Sequence, residues 1–278
     1  MAQPFLKPVR TLLKRTMPGL TPNKFIDPFG PYKLDQAFVF SDFSSWGGLH
    51  NRGFMRLIEE ACEKKCIYDV GAHIGLTALP LASTSPSGRV VAFEPGEKNY
   101  ELLRFHARVN QLANLHCERV LVGERESQAG VTFYDDAEVS GLNSIIRRPG
   151  CDSQARDDIP MVTLEGYARR TGVFPDLVKI DVEGYELQVI KGADHLLRAV
   201  RPDIIISIHP TQLAQQNLSP SHVKAELIDL GYEWFHPDGT RVGIEELEFS
   251  EYWARPSHGI EKEKASPKSE PSSASNDQ

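Results

Sequence analysis

Cysteine is scarce in this sequence, and the cysteines that are present follow no recognisable framework. There are four in 278 residues, and their spacing matches neither a set of disulfides nor a zinc site. Cys62 and Cys66 stand four apart, as on one helical turn, but no further cysteine or histidine accompanies them at ligand spacing. We therefore expect unpaired thiols without a chemical role and a reducing, cytoplasmic compartment.

Long hydrophobic runs and an excess of basic charge are lacking as well. No stretch approaches the roughly 18 uncharged apolar residues that span a bilayer, so we expect no transmembrane segment. The formal net charge is −7 at pH 7. A general nucleic-acid binder usually needs a basic face, so we expect no general nucleic-acid binding, although a local basic patch is compatible with this balance.

Acidic residues are absent from residues 1–26, where basic and apolar side chains alternate. Such a pattern is typical of a membrane-surface helix or a transit peptide and would place membrane contact in residues 1–20. Pro4, Pro8 and Pro18 interrupt it, which favours an ordinary docking arm or a frayed terminus. We assign residues 1–53 to an N-terminal arm and extension.

The two remaining parts of the chain have contrasting compositions. Residues 254–278 are rich in Ser, Pro, Lys and Glu, with few apolar side chains to bury, so we predict a disordered tail. Residues 54–253 alternate between strand and helix patterns, which predicts one α/β domain with a mostly parallel sheet covered on both faces. The predicted helices are 54–64, 75–83, 97–110, 185–199 and 219–230. The predicted strands are 67–70, 89–94, 115–122, 131–134, 161–164, 177–182, 203–208, 232–235 and 246–249, with a long loop over 135–158.

A glycine-containing turn, DVGAHIG, joins the first of these strands to a helix. It begins at Asp69 and ends at Gly75. Gly71 lets the backbone turn tightly and approach a ligand, and the start of the following helix offers free N–H groups. The same spacing also fits a purely structural turn, so the motif alone does not indicate a ligand site and a second feature is needed.

Glu94 supplies that feature, because it ends the next strand, 19 residues after Gly75. An acid at this position in a nucleoside-binding sheet accepts the two ribose hydroxyls. A solvated strand-end acid is the alternative interpretation. A dinucleotide site would favour glycine where His73 stands, because the pyrophosphate lies close there. A side chain at that position favours S-adenosylmethionine, which has no diphosphate.

The segment KIDVEGYE forms a second motif at the end of a predicted strand. Alternation places Lys179, Asp181 and Glu183 on one side of it. Charges in a central strand are costly unless they meet partners or a ligand, so the segment indicates either a site or a self-paired Lys–Asp cluster. His209 ends the next strand, and we expect it to open onto the same cleft as Asp181, as a proton acceptor or as a structural histidine.

Together these motifs resemble the FkbM-type family of S-adenosylmethionine-dependent methyltransferases. The family has a D-V-G-A-N-x-G turn, F-E-P at the second strand and a K-I-D-V-E-G-x-E segment. This chain has DVGAHIG at 69–75, FEP at 93–95 and KIDVEGYE at 179–186, and the match covers roughly residues 65–210. It departs from the family at His73, where Asn is usual, and at Ser207, where many members have Glu. It also has Glu165 where Asp is common.

The resemblance implies a class I methyltransferase (Rossmann-like) fold with a mostly parallel seven-stranded sheet. It also implies S-adenosylmethionine-dependent methylation of a hydroxyl on a small molecule such as a sugar or polyketide. The residues assigned to the cofactor are Asp69, Gly71, His73, Gly75, Glu94 and Asp181. The residues assigned to catalysis are His209 as base, Asp181 to orient it or the donor, and Glu183 to hold the acceptor. A divalent metal on the last three is an open alternative.

Other functions on a similar fold are compatible with parts of the pattern. A nucleic-acid or protein methyltransferase is less favoured, because the sequence has no Asn-Pro-Pro-Tyr-like segment and no Pro-Cys pair for chemistry on bases. A non-catalytic nucleoside-binding protein and a dehydrogenase are the remaining alternatives. Titration with S-adenosylmethionine, S-adenosylhomocysteine and NAD separates these classes.

Overall fold

The computed structural model describes residues 23–25, 31–35, 48–135, 154–243 and 247–257. The predicted membrane-contact segment 1–20, most of the loop predicted over 135–158, and the predicted tail beyond residue 257 lie outside the described residues. Predictions about those parts remain predictions.

A seven-stranded sheet forms the centre of the domain, and its strands are β3, β4, β5, β9, β10, β11 and β12. Their bounds are Cys66–Val70, Arg89–Phe93, Leu115–Glu118, Leu177–Ile180, Asp203–Ile208, Tyr232–Phe235 and Ser250–Pro256. Across the sheet the order is β5-β4-β3-β9-β10-β12-β11. β12 pairs antiparallel with both neighbours, whereas the pairs from β5 to β10 are parallel. The predicted mostly parallel sheet is confirmed, with β12 making it mixed.

Eight helices connect or flank these strands in the described residues. They are α1 (Gly48–Ala61), α2 (Ala78–Thr84), α3 (Glu97–Val109), α4 (Leu164–Thr171), α5 (Glu186–Lys191), α6 (Asp194–Val200), α7 (Pro210–Ala214) and α8 (Pro220–Asp229). None of them is both long enough and apolar enough to cross a bilayer. Ser219 precedes α8 in a capping box, in which the His222 side chain accepts the Ser219 N–H.

Two hydrophobic cores lie on the two faces of the sheet, as period-two alternation requires. In β3, Ile67 belongs to the core under α1, α2 and α3, whereas Tyr68 belongs to the core under α4, α5, α6 and α8. The central strands β3, β9 and β10 are therefore buried on both sides, and apolar residues predominate in their sequences. The predicted helices on both faces are confirmed.

A second, three-stranded sheet has the order β6-β8-β7, with β6 at Leu121–Val122, β7 at Ser127–Asp135 and β8 at Gln154–Val162. A small hairpin pairs β1, Asn23–Phe25, with β2, Pro31–Lys33. The second sheet carries a satellite core that includes Phe133, Ile159 and Met161.

Several predicted element boundaries are wrong. The strand predicted over 115–122 is two strands in two different sheets. The helix predicted over 185–199 is interrupted between Lys191 and Asp194, where α5 ends and α6 begins. The last strand lies at Ser250–Pro256 rather than at 246–249, so Ala254, Arg255 and Pro256 belong to the sheet and not to the tail.

The cysteines are unpaired where the structure describes them. Cys62 follows α1 and is exposed, whereas Cys66 opens β3 and is buried, so the two do not share a helical turn. Burial raises the pKa of the Cys66 thiol to about 12, which keeps it protonated. Cys151 lies outside the described residues.

Candidate active site

The predicted site residues gather where β3, β4, β9 and β10 end, on adjacent strands of the sheet. The carboxyl ends of parallel strands meet at one edge, and open α/β sheets bind ligands there. At this edge the backbone N–H of Asp181 donates to the carbonyl of Val70 at 3.0 Å, which ties the end of β9 to the end of β3.

The glycine turn closes tightly against the two neighbouring strands. The N–H groups of Gly71 and Ala72 both donate to the carbonyl of Phe93 at 3.0 Å. Gly71 has φ +82°, and a Cβ atom there would lie 1.8 Å from the carbonyl oxygen of Asp181. Gly75 has φ +96°, and a Cβ there would lie 2.8 Å from Leu103. Gly71 is therefore required by its approach to a backbone carbonyl, a reason that the sequence motif did not reveal, whereas Gly75 is favoured by its left-handed backbone conformation.

His73 occupies the middle of the turn with φ +52°. This left-handed conformation is uncommon outside glycine, but Asn, Asp and His adopt it several-fold more often than other residues. The replacement of the family's usual Asn by His73 therefore preserves the backbone of the turn.

Glu94 is buried at the end of β4 and reaches back to the turn. Its carboxylate accepts the N–H of His73 at 2.8 Å and the N–H of Gly96 at 2.9 Å. The amide of Asn99 approaches the same carboxylate at 3.4 Å. Each carboxylate oxygen can accept more than one hydrogen bond. Glu94 can therefore bind the turn and still accept hydrogen bonds from ribose hydroxyls.

Asp69 and Lys179 form a buried ion pair beneath this edge. Asp69 is fully buried, and its Oδ1 lies 3.1 Å from the Lys179 Nζ. The same Nζ lies 3.6 Å from Asp181. Burial opposes the charge on Lys179, but the two carboxylates outweigh it and raise the pKa of Lys179 further above its usual value. The predicted Lys–Asp cluster is therefore present, and Asp69 faces Lys179 rather than solvent.

Asp181 and Glu183 lie in the turn after β9, which ends at Ile180. The predicted strand over 177–182 is therefore too long. The turn nevertheless brings both carboxylates to His209. Glu183 has φ +54°, and its Oε2 accepts the side-chain N–H of Gln212 at 3.0 Å. Both acids are partly exposed, so a ligand can reach them.

His209 follows β10 and is almost fully buried. Its Nδ1 lies 2.7 Å from Glu186 Oε1, and its Nε2 lies 3.5 Å from Asp181 and 3.6 Å from Glu183. Burial disfavours the imidazolium, but the hydrogen bond to Glu186 and the nearby acids outweigh burial and raise the pKa of His209 to about 9. The ring of Phe249, a largely exposed side chain, meets the His209 ring edge-to-face at 5.4 Å.

Glu186 and Glu251 are two acidic residues at this edge that sequence reasoning missed. Glu186 lies within the KIDVEGYE segment, and its position in the first turn of α5 could have indicated that it lies at this edge of the sheet. Glu251 lies on β12, whose position was mispredicted. Burial and the charge of Asp181 raise the pKa of Glu251 to about 8, with Lys179 opposing them.

Carboxylates outnumber cations at this edge of the described structure. The carboxylates are Asp69, Glu94, Asp181, Glu183 and Glu186, and the cations are Lys179 and His209. Such a balance favours a positively charged ligand and disfavours a diphosphate. Two surface clefts, of about 590 and 770 Å³, lie elsewhere, along β5 and the turn before β4. The first of them reaches Glu118, which ends β5 and accepts the backbone N–H of Glu94 at 3.0 Å. Neither lining includes a residue assigned to the cofactor or to catalysis, so we place the site by its chemistry.

Counted along the chain, the central strands have the order 3-2-1-4-5-7-6 with the seventh antiparallel. This order, with a glycine turn after the first strand and an acid after the second, defines a class I methyltransferase fold. The family model for the methyltransferase FkbM domain matches residues 69–234. The chain belongs to the FkbM methyltransferase family.

Individual relatives are distant. The chain is 28% identical over 159 residues to hexuronic acid methyltransferase AglP of Haloferax volcanii, covering 55% of this chain and 59% of that protein. It is 28% identical over 181 residues to AMB antimetabolite synthetase AmbE of Pseudomonas aeruginosa, covering 51% of this chain and 8% of the synthetase. A solved methyltransferase FkbM from Methylobacillus flagellatus KT has 20% identity and a TM-score of 0.39, covering 68% of this chain and 43% of that one.

Proposed function

We propose that this chain transfers the methyl group of S-adenosylmethionine to a hydroxyl group of a small molecule. The proposal rests on one observation. The glycine turn that Glu94 binds lies at the same edge of this FkbM-family fold as Asp181, Glu183 and His209. One half of this edge has the chemistry of a nucleoside site. The other half has the hydrogen-bonding groups that a hydroxyl acceptor needs.

The cofactor half fits S-adenosylmethionine in charge. The sulfonium and ammonium groups are positive and the molecule has no diphosphate, which agrees with the surplus of carboxylates. Glu94 would accept the ribose hydroxyls, and the turn that includes Gly71, His73 and Gly75 would lie against the nucleoside. Asp69 would act through Lys179, since it is fully buried.

The acceptor half must supply alignment and a place for the hydroxyl proton. S-adenosylmethionine brings a methyl group on a sulfonium that is already a good leaving group, so no further activation of the donor is needed. The pKa of His209 is about 9, so the imidazole is mostly charged at neutral pH. It can accept the hydroxyl proton only when it is neutral. While it is charged, the carboxylates of Asp181 and Glu183 are the hydrogen-bond acceptors for the hydroxyl, and Glu186 keeps the imidazole in place.

The test is methyl transfer to a panel of hydroxyl compounds. The chain is incubated with methyl-labelled S-adenosylmethionine and sugars, uronic acids and phenols, each beside its deoxy analogue and its amino analogue. We expect label only where the hydroxyl is present. His209→Ala should lower turnover about 10²–10⁴-fold with little change in S-adenosylmethionine affinity. The exposed His195→Ala serves as the matched control. Label on amine acceptors but on no hydroxyl would overturn the proposal.

A further inference from the structure

Asp181, Glu183 and His209 present three ligand atoms to one point. These atoms all lie within 4.8 Å of one another. The Nε2 of His209 is 3.5 Å from Asp181 Oδ1 and 3.6 Å from Glu183 Oε1, longer than the usual N–H···O separation of about 2.9–3.0 Å. Two ligands that each lie about 2.1 Å from a common ion are about 3.0–3.4 Å apart at ordinary coordination angles. A small closure therefore brings all three within reach of one ion.

We propose that Asp181, Glu183 and His209 bind a divalent cation on the acceptor side of the site. The binding of the ion does not depend on the proposed methyl transfer. Its role rests on the proposed methyl transfer, because an ion here would hold the acceptor oxygen and lower the cost of removing its proton.

The setting of His209 is the independent observation that supports this proposal. His209 is 3% exposed, and its Nδ1 donates to the fully buried Glu186 at 2.7 Å. A histidine that binds a metal commonly gives its other ring N–H to a carboxylate, which fixes the tautomer and the ring orientation. Here that arrangement leaves Nε2 as the nitrogen that faces Asp181 and Glu183. The buried imidazole is thus aimed into the cluster by a partner outside it.

The carboxylates are placed to complete the site. Gln212 holds one oxygen of Glu183 at 3.0 Å, and the other oxygen is the one that faces His209. Asp181 is held through its backbone N–H by Val70. Two carboxylates and one imidazole suit Mn²⁺ or Zn²⁺ better than a purely oxygen-seeking ion.

Three protein ligands leave further coordination positions on the ion. These positions favour an acceptor with two adjacent oxygens, such as a hydroxyl beside a carboxylate or beside a second hydroxyl, because both can coordinate together. The site therefore predicts a substrate class as well as an ion. The exposed ring of Phe249, which touches the His209 ring, offers an apolar face beside that position.

Mn²⁺ is the probe for this site, because its binding can be followed without enzymatic activity. The full chain is stripped with EDTA, the chelator is removed, and MnCl₂ is titrated by electron paramagnetic resonance and calorimetry. We expect one Mn²⁺ per chain. Glu183→Gln should weaken binding at least tenfold, and Glu186→Gln, which does not touch the ion, about 10- to 100-fold. The exposed Asp229→Asn should bind as the unmodified chain does.

Two results would overturn the inference: no stoichiometric Mn²⁺ binding, or binding that Glu183→Gln leaves unchanged. Circular dichroism melting shows whether each variant is folded. Because Glu183 is partly exposed, we expect Glu183→Gln to fold as the unmodified chain does. S-adenosylhomocysteine is titrated into the same samples. Cofactor binding and methyl transfer without Mn²⁺ binding would reject the ion site and leave the proposed function standing. If the unmodified chain does not bind S-adenosylhomocysteine, the proposed function itself is rejected.

Discussion

Ser207 on β10 lies directly opposite Glu251 on the antiparallel strand β12. Directly opposed residues of an antiparallel pair share one face of the sheet, so a buried carboxyl lies beside a small buried side chain. Many members of the family have glutamate where this chain has Ser207. This chain instead supplies a carboxyl from the neighbouring strand, on the same side of the sheet as Lys179.

The buried carboxyl of Glu251 should make stability depend on pH. Its pKa rises from an ordinary 4.5 to about 8, mainly because of burial. Between these values the folded protein holds a proton that the unfolded chain releases, so stability falls as pH rises through that window. Glu251→Gln cannot ionise, and its stability relative to the unmodified chain should therefore increase from pH 5 to pH 9. Urea unfolding at both pH values measures this; an equal difference at the two would contradict the burial of a protonated Glu251.

The Lys179–Asp69 pair should be essential for folding. Lys179→Met leaves the fully buried Asp69 without its cation, and breaking a buried pair in this way costs about 3–5 kcal/mol. Lys64→Met breaks a more exposed pair with Asp203 and should cost about 1 kcal/mol or less. Denaturant unfolding of both variants gives the comparison. Similar losses for the two would mean that burial does not decide the strength of the Asp69 pair.

Much of the fold was predictable because central strands are short apolar runs. The strand Asp203–Ile208 was predicted with the bounds that the structure has, and it is confirmed. The predicted boundaries were wrong where pairing with distant parts of the chain decides where a strand begins or ends. The run predicted over 115–122 changes partner between β5 and β6, and periodicity carries no information about partners. The antiparallel β12 was misplaced for a related reason, since its pairing with β10 joins distant parts of the chain.

The site was predictable to the extent that its residues follow strands in local motifs. Asp181, Glu183 and His209 were expected to meet, and they do. The role of Gly71 could not be predicted, because the atom it avoids belongs to the distant Asp181. Glu251 was missed because only the sheet order brings it near Lys179.

Gly71 can be tested against a second glycine of similar conformation. Gly71→Ala would place a Cβ 1.8 Å from the Asp181 carbonyl oxygen, so the backbone must move. Gly172 has φ +70° with nothing within 4 Å, and Gly172→Ala should cost only the conformational penalty of about 1–2 kcal/mol. We expect Gly71→Ala to lose more stability than this and to lose S-adenosylhomocysteine binding, whereas Gly172→Ala keeps it. Normal binding by Gly71→Ala would mean that the turn does not depend on this close approach.

Glu94 should contribute directly to cofactor affinity. Glu94→Ala removes the proposed acceptor of the ribose hydroxyls and should weaken S-adenosylhomocysteine binding by about 1.5–3 kcal/mol, the range for hydrogen bonds to a charged group. Glu97→Ala removes a more exposed acid that pairs with Arg156 and serves as the control. Calorimetry on folded samples measures both. Affinity unchanged by Glu94→Ala would remove Glu94 from the cofactor site.

The central claim, that the carboxyl edge of this sheet binds S-adenosylmethionine, has one direct test. The unmodified chain is titrated by calorimetry with S-adenosylhomocysteine, the product that retains the nucleoside, and separately with NAD. The surplus of carboxylates around Lys179 and His209 predicts saturable binding of one S-adenosylhomocysteine per chain and no binding of the diphosphate-bearing NAD. Saturable binding of NAD without binding of S-adenosylhomocysteine would contradict the account.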